Sequence, residues 1–486
     1  MSDEDLIIAN LGKQSSATNA EVRLFPDLRV FPDRRTLLEG ESLDIYATGS
    51  SNPITWFQVE VPSGSSISTQ NSTSITYQAG TTSGVVDILQ AWDGDYQFGR
   101  TFVNIIGSND ITAAGKAIIL AGGKTLDDVI WDATEYLGDK AYNTLRYRGF
   151  SKENIRYLTF NPGQDVDQNG RDDDDIHGSS SFSNVEATFT SPWVASGTDK
   201  LFLYMVDHGS RDDGSGVFRL NLTNFLSSGQ LDQWLDDIQD TYTNVEVTVV
   251  LDFCYAGSFL QDLTYTDPTR RMVIAATSAH QLTYFAGGGL VSFSDVFFSA
   301  LIQGLNVFDA FELARDAMSS YPQSSVMDDD GDGLYQPGID GAEAAQLDIG
   351  ATFVAGKDIP IIGSIIGRQL LSDGGTRATL WVDNIDSAYT IQRVWCTVIA
   401  PSHNPDPDSG QPVVDLPELD LTYNVTNGRY EVVFDGFTEE GTYQVICYAL
   451  DEWNSISLPK PTFVTQAGFD EQVILVAGLL TCLAHM

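Results

Sequence analysis

The chain has 486 residues, which at roughly 150 residues per domain allows about three domains. Apolar residues make up 42% and charged residues 19%, a globular composition rather than a disordered or coiled-coil one. Acidic residues outnumber basic ones 67 to 26, a net charge of −41, so the surface repels phosphate backbones and anionic lipid, and nucleic acid is excluded as a partner.

Residues 1–20 have no basic start and no long apolar stretch, so they do not read as a secretory signal. Residues 21–110 read as a β-sandwich of immunoglobulin-like type. Apolar alternation marks Ser42–Ala47, Ile54–Val59 and Gly84–Ala91, with Gly, Ser, Asn and Pro clusters between. From 114 to 356 the period changes. Lys116–Ala121, Lys200–Val206, Val245–Leu251 and Met272–Ala276 are short apolar strands, and helical spacing appears at Ala133–Gly149, Leu231–Ile238, Phe293–Leu301 and Val307–Met318. Strands alternating with helices predict an α/β domain, a mostly parallel sheet with helices on both faces, whose chemistry sits at the C-terminal strand ends. Residues 360–466 return to β in a second sandwich of immunoglobulin or fibronectin type III-like kind, with strands at Ala378–Val382, Val394–Ile399, Tyr430–Phe434 and Gly441–Ala449, and a loop marked by Pro405, Pro407 and Pro412. Cys396 and Cys447 lie in strands of this part, either bonded or plain core. The last apolar run, Val473–Ala484, has 12 residues where about 20 are needed to span a bilayer.

Two strand ends carry chemistry. Lys200–Val206 runs into Asp207-His208-Gly209, and Val245–Leu251 runs into Asp252-Phe253-Cys254-Tyr255-Ala256-Gly257. Successive parallel strands joined by one helix tend to be neighbours, which would let His208 and Cys254 face one another. A thiolate nucleophile with an imidazole to manage its proton is the requirement of thiol catalysis. A cysteine at a strand-to-helix turn is also expected to gain from the positive end of the helix dipole. Gly209 permits close backbone approach, so its N–H and that of Cys254 would form an oxyanion hole.

This order of strand, His-Gly, helix, strand and Asp-x-Cys-x-small-Gly resembles the caspase-like superfamily (clan CD) of cysteine peptidases. The text around it, including Lys116–Gly123, Leu201–Gly209 and Leu251–Phe259, resembles the legumain-like branch in its bacterial multidomain form. The resemblance implies a cysteine endopeptidase acting on a protein or peptide substrate, with no organic cofactor, and with Ala275–Ser278 followed by Tyr284-Phe285 as the strand and loop that wall the specificity pocket. Ala256 stands where the family usually has Ser. Legumains place an Asn after the first strand, but here that stretch is Gly122-Gly123-Lys124, so a His208/Cys254 dyad without a third member is expected. Asp252 shares a strand face with Cys254. Metacaspases and clostripain carry Asp at the matching position and cut after Arg or Lys, which implies a basic P1 preference with Asp252 and Ser278 as substrate-binding residues. Legumains, with Glu there, prefer Asn. The alternatives are a non-catalytic surface adhesin carrying an inactive peptidase fold, or a peptide ligase or transpeptidase using the same dyad.

Of the 67 acidic residues 50 are Asp, the better calcium ligand in loops. Asp165-x-Asp167-x-Asn169-Gly170-x-x-Asp173 and Asp328-x-Asp330-x-Asp332-Gly333 have the 1, 3, 5 spacing of oxygen ligands with Gly at 6, so a structural Ca²⁺ in each is expected. Both lack the Glu at position 12 of an EF-hand. Such loops beside immunoglobulin-like domains suggest an extracellular, cell-surface or periplasmic protein.

Overall fold

The computed structural model describes residues 28–467, apart from 51, 72, 95–97, 167–174, 213, 352–355, 357–358 and 372–374. At the N-terminal end, two four-stranded sheets pack face to face. One runs in the order Arg29–Phe31, Ser42–Thr48, Ser74–Gln78, Ser66–Asn71, the other Arg34–Leu38, Phe98–Ile106, Val85–Trp92, Thr55–Glu60. Alternate residues such as Ile45, Ile75, Leu89, Val103 and Ile105 close a separate core between them.

The middle of the chain is α/β. Seven strands form one sheet in the order Gly178–Ser179, Ile155–Thr159, Lys116–Ala121, Lys200–Val206, Glu246–Asp252, Arg271–Ala275, Val326–Asp328. All pairings are parallel except the last, where Val326–Asp328 runs antiparallel to Arg271–Ala275. Lys116–Ala121 is buried along its whole length because both sheet faces are covered, hence its unbroken apolar run. Helices Trp131–Tyr147, Phe293–Ile302 and Val307–Met318 pack on one face. Helices Phe182–Phe189 and Ser228–Thr241 pack on the other. Helix Ser228–Thr241 starts at Ser227, whose side chain accepts from the Gln230 N–H, and buries Leu231, Trp234, Leu235 and Ile238 at helical spacing. Each such side chain contributes about 1.5–3 kcal/mol, so Leu235→Ala alone would open a cavity that costs about 2–5 kcal/mol. A small antiparallel sheet, Gly209–Asp212, Ser215–Arg219 and Phe225–Ser227, sits beyond the end of the Lys200–Val206 strand.

The third part again has two sheets, of four and five strands. Its five-stranded sheet is covered on both faces. Val394, Cys396 and Val398 point into its own core, with Val445, Cys447 and Ala449 from the paired strand. Trp395, Ile399, Ile446, Tyr448 and Leu450 point the other way and join the core of the α/β part. Cys396 and Cys447, directly opposite each other across the strand pair, form a disulfide. Tyr321 adds a buried hydrogen bond to Tyr448 at 2.6 Å. The run Val473–Ala484 lies outside the described residues; among those described, no helix is long and apolar enough to cross a membrane.

Candidate active site

Register brings the two motif-bearing strands together. Lys200–Val206 and Glu246–Asp252 pair in parallel with Val206 opposite Asp252, so Asp207-His208-Gly209 and Phe253-Cys254-Tyr255 leave the sheet side by side. Gly209 lies against the Cys254 backbone: a Cβ there would stand 2.2 Å from the Cys254 carbonyl oxygen and 2.4 Å from the Phe253 ring. Only glycine fits, which makes a steric requirement of the His-Gly pair.

The chain after Cys254 turns through an uncommon conformation. Tyr255 has φ +63°, the left-handed region, at a cost of roughly 1–2 kcal/mol for a residue with a Cβ. The turn is held by main-chain bonds: Tyr255 N–H to Gln281 O at 2.8 Å, and Gly257 N–H to Thr277 O at 2.9 Å. Ala256 N–H donates to Thr277 Oγ1 at 3.0 Å. These bonds, at about 1 kcal/mol each, offset the strain. Beyond them stands only a four-residue 3₁₀ turn, Ala256–Phe259. The expected helix-dipole lowering of the thiol is therefore corrected: burial dominates and pushes the Cys254 pKa up to about 12. Cys254 is fully buried, against Tyr255, Leu282 and Val413. It is the one free cysteine among the described residues.

His208 is not alone. Its Nε2–H donates to Asp128 Oδ1 at 3.0 Å, with both side chains under 10% exposed. Its Nδ1 is buried without a hydrogen-bond partner. Burial depresses the His208 pKa below its ordinary value; the Asp128 hydrogen bond and charge work against that but do not overcome it. Asp128 is pushed up by burial, yet its bond and attraction to His208, with help from Arg219, leave it below the usual carboxylate range. Arg219 Nη1 stands 3.7 Å from Asp128 Oδ2.

Asp128 is a hydrogen-bond partner of His208 that motif reading, which expected His208 and Cys254 without a third member, missed. It belongs to the loop between Lys116–Ala121 and helix Trp131–Tyr147. Ala121 is opposite Val206, so this loop leaves the same sheet edge as His208. An acidic pair, Asp127-Asp128, in the loop at the end of a central strand is the signal available in the sequence.

Asp252 is fully buried. Its Oδ1 accepts from Thr283 Oγ1 at 2.7 Å and its Oδ2 from the Ser294 N–H at 3.1 Å. Burial raises its pKa to about 6 against these bonds. Ser278 is half-buried and donates to Gln281 Oε1 at 2.9 Å. At the rim, Arg211 donates to His280 Nδ1, and its guanidinium lies 4.9 Å from the centre of the Tyr255 ring. A cavity of about 260 Å³ lined by Tyr136, Lys140 and Trp453 shares no lining residue with this site.

Of the acidic loops, Asp328, Asp330 and Asp332 converge, with one oxygen from each lying within 4.8 Å of the others. Asp328 accepts from the N–H groups of Gly331 and Gly333 at 2.7 and 2.8 Å, and burial together with the two neighbouring carboxylates raises its pKa. Three close carboxylates, one of them buried, suit a hard cation such as Ca²⁺. Of the other loop only Asp165 is described; Asp167, Asn169 and Asp173 lie outside the described residues.

Residues 183–307 match the model of the peptidase C13 family. This segment holds His208, Gly209, Asp252, Cys254 and Ser278, and the match shows the resemblance to the legumain-like cysteine peptidases of clan CD. Asp128 precedes it. Among solved structures, the complex of the pro- and mature domains of RgpB from Porphyromonas gingivalis is 12% identical over 75% of this chain and 77% of that one, with a TM-score of 0.28. The Arg-specific cysteine proteinase gingipain R (RGPB) is 12% identical over 74% and 68%, with a TM-score of 0.26. A family 76 glycoside hydrolase from a bovine Bacteroides thetaiotaomicron strain is 11% identical over 22% of this chain and only 20% of its own length, with a TM-score of 0.18. No curated protein sequence matches the chain.

Proposed function

We propose that this protein is a cysteine endopeptidase in which Cys254 is the nucleophile, His208 moves the proton and Asp128 positions His208. The observation that carries the reading is the His208–Asp128 hydrogen bond at a sheet edge shared with Cys254, with Gly209 fitted against the Cys254 carbonyl. His208 Nδ1 takes the thiol proton as sulfur attacks the scissile carbonyl carbon. The N–H groups of Gly209 and Cys254 receive the oxyanion. The C–N bond then breaks, His208 returns the proton to the leaving amine, and water hydrolyses the thioester by the same route. Asp128 fixes the tautomer and offsets the charge that His208 gains.

The finer assignments belong to the same proposal. Asp252, deep on the Cys254 strand, would select Arg or Lys at P1, with Thr283 Oγ1 now holding the oxygen that a guanidinium would use. The Asp328 loop would hold a structural Ca²⁺. The flanking two-sheet units are proposed to be immunoglobulin or fibronectin type III-like. The Cys396–Cys447 disulfide supports a compartment outside the cytoplasm. The full burial of Cys254 favours a second reading, a peptidase fold without activity. Labelling with peptide acyloxymethyl ketones of varied P1, followed by mapping of the modified residue, separates the two. Labelling of Cys254 that is lost in His208→Ala supports the peptidase, whereas absence of labelling under every activating condition rejects it. A fluorogenic library of varied P1 tests Asp252: cleavage confined to Asn or Asp removes the basic preference.

A further inference from the structure

The loop that joins Ile391–Ile399 to Glu418–Asp420 in the third part of the chain does not stay with its own sheet. It runs back over the candidate active site and is bonded to it at three places. His403 Nε2 meets Tyr284 Oη at 3.2 Å. Tyr255 Oη donates to the Pro407 carbonyl and accepts from the Gly410 N–H at 3.1 Å. Val413 pairs as a parallel strand with Tyr284: its N–H donates to Thr283 O and its carbonyl accepts from the Phe285 N–H, both at 2.9 Å. The Val413 side chain packs on the Cys254, Tyr255 and Leu282 cluster.

Two of the residues that these bonds reach, Tyr255 and Thr283, belong to the site. Tyr255 follows the nucleophile, and Thr283 holds the Asp252 carboxylate through its hydroxyl. Charge matches as well. The loop carries Asp406, Asp408 and Asp415, and the Tyr255 ring to which it is bonded lies under the Arg211 guanidinium. A connection of this length between adjacent strands is uncommon without a function. None is needed to close the sheet, because Thr397 pairs directly with Glu418 and a short hairpin would join the two strands.

We propose that residues 401–417 form a built-in strap that docks as an added strand on Thr283–Phe285, covers Cys254 and holds the peptidase latent until it is displaced. The proposal rests on the peptidase reading of Cys254 and supplies the regulation of that site. Main-chain pairing to an extended segment is a common way to hold a peptide, and Thr283 O and Phe285 N–H are already taken by Val413, so the strap occupies the place that a substrate would need.

The test uses the full chain and two variants. In Val413→Glu a charge replaces the apolar contact with the Cys254 cluster. In the second, residues 402–415 are replaced by a short Asn-Gly hairpin linker, with thermal melting to show that the fold persists. Iodoacetamide modification of Cys254, resolved from Cys482 by peptide mass mapping, is followed together with cleavage of the P1 library. Two main-chain hydrogen bonds and one half-buried valine, each worth roughly a factor of five, predict that Cys254 reacts about 100-fold faster without the strap. An unchanged alkylation rate in both variants overturns the strap. So does an intact chain that cleaves as fast as the strapless one, a result that leaves the peptidase reading standing. Faster alkylation with no cleavage of any library member keeps the strap and removes the peptidase reading.

Discussion

Replacing Asp128 isolates the contribution of the residue that positions His208. In Asp128→Ala the Nε2–H loses a 3.0 Å hydrogen bond to a buried carboxylate. Charge-assisted bonds of this kind are worth about 1.5–3 kcal/mol, so kcat/KM should fall roughly 10- to 150-fold. A structural defect could lower activity by the same factor, so the pH profile is the sharper readout. The acid limb of kcat/KM reports the protonation of His208 in the free enzyme. Asp128 raises the His208 pKa and Arg219 lowers it. The limb should therefore move to lower pH in Asp128→Ala and to higher pH in Arg219→Gln. The assay is cleavage of the best library substrate by the strapless form between pH 4 and 9. Activity within twofold of the parent, or limbs that shift in the same direction in both variants, would refute the assignment.

Calcium at about 100 times its Kd should stabilise the protein by about 2.7 kcal/mol, a Tm rise of roughly 3–5 °C for a cooperative block of this size, which EDTA reverses and Asp330→Asn abolishes. An unmoved Tm rejects the site. Gly209→Ala forces a methyl to within 2.2 Å of the Cys254 carbonyl oxygen. It should cost about 1–3 kcal/mol in stability and displace Cys254 from the oxyanion donors, so labelling by the ketone probes should fail while the melting transition persists. Asp207 is buried, and burial raises its pKa from 3.8 to about 8. A carboxyl with a raised folded pKa favours the folded state fully below its unfolded pKa, and that contribution is lost as pH rises through the folded one. Stability should decline between about pH 4 and 8, and Asp207→Asn should flatten that decline in denaturant melts taken across the range.

What was legible in the sequence was what periodicity and edge position encode. The strand Lys200–Val206 and the helix Val307–Met318 have the bounds that their apolar patterns suggested. His208 and Cys254 were visible because each follows an unbroken apolar run. Asp128 was not, since a loop residue three positions before a helix carries no periodic signal and becomes meaningful only through the Ala121–Val206 register. The thiol's raised pKa was equally hidden. A turn after a strand suggested a helix dipole, but the turn is one short 3₁₀ piece, and burial beneath Val413 outweighs it. The strap went unread because Pro405, Pro407 and Pro412 mark a loop without saying where it lies. Val394-Trp395-Cys396-Thr397-Val398-Ile399 did hold a clue. Both parities are apolar or buried, which a strand with one solvated face would not show.

That doubly covered strand pair also determines what counts as a unit of folding. Trp395, Ile446 and Tyr448 sit in the same apolar cluster as Leu137, Phe297 and Phe311, while the N-terminal sandwich keeps a cluster of its own. A cut near residue 357, where composition suggests a seam, would split one core rather than separate two. Each fragment would expose a large apolar face and be prone to aggregate, and neither would be a working half. Residues 114–467 should therefore unfold as one cooperative block, and any swapping of the third part among related chains would have to carry its mate's helices along with it.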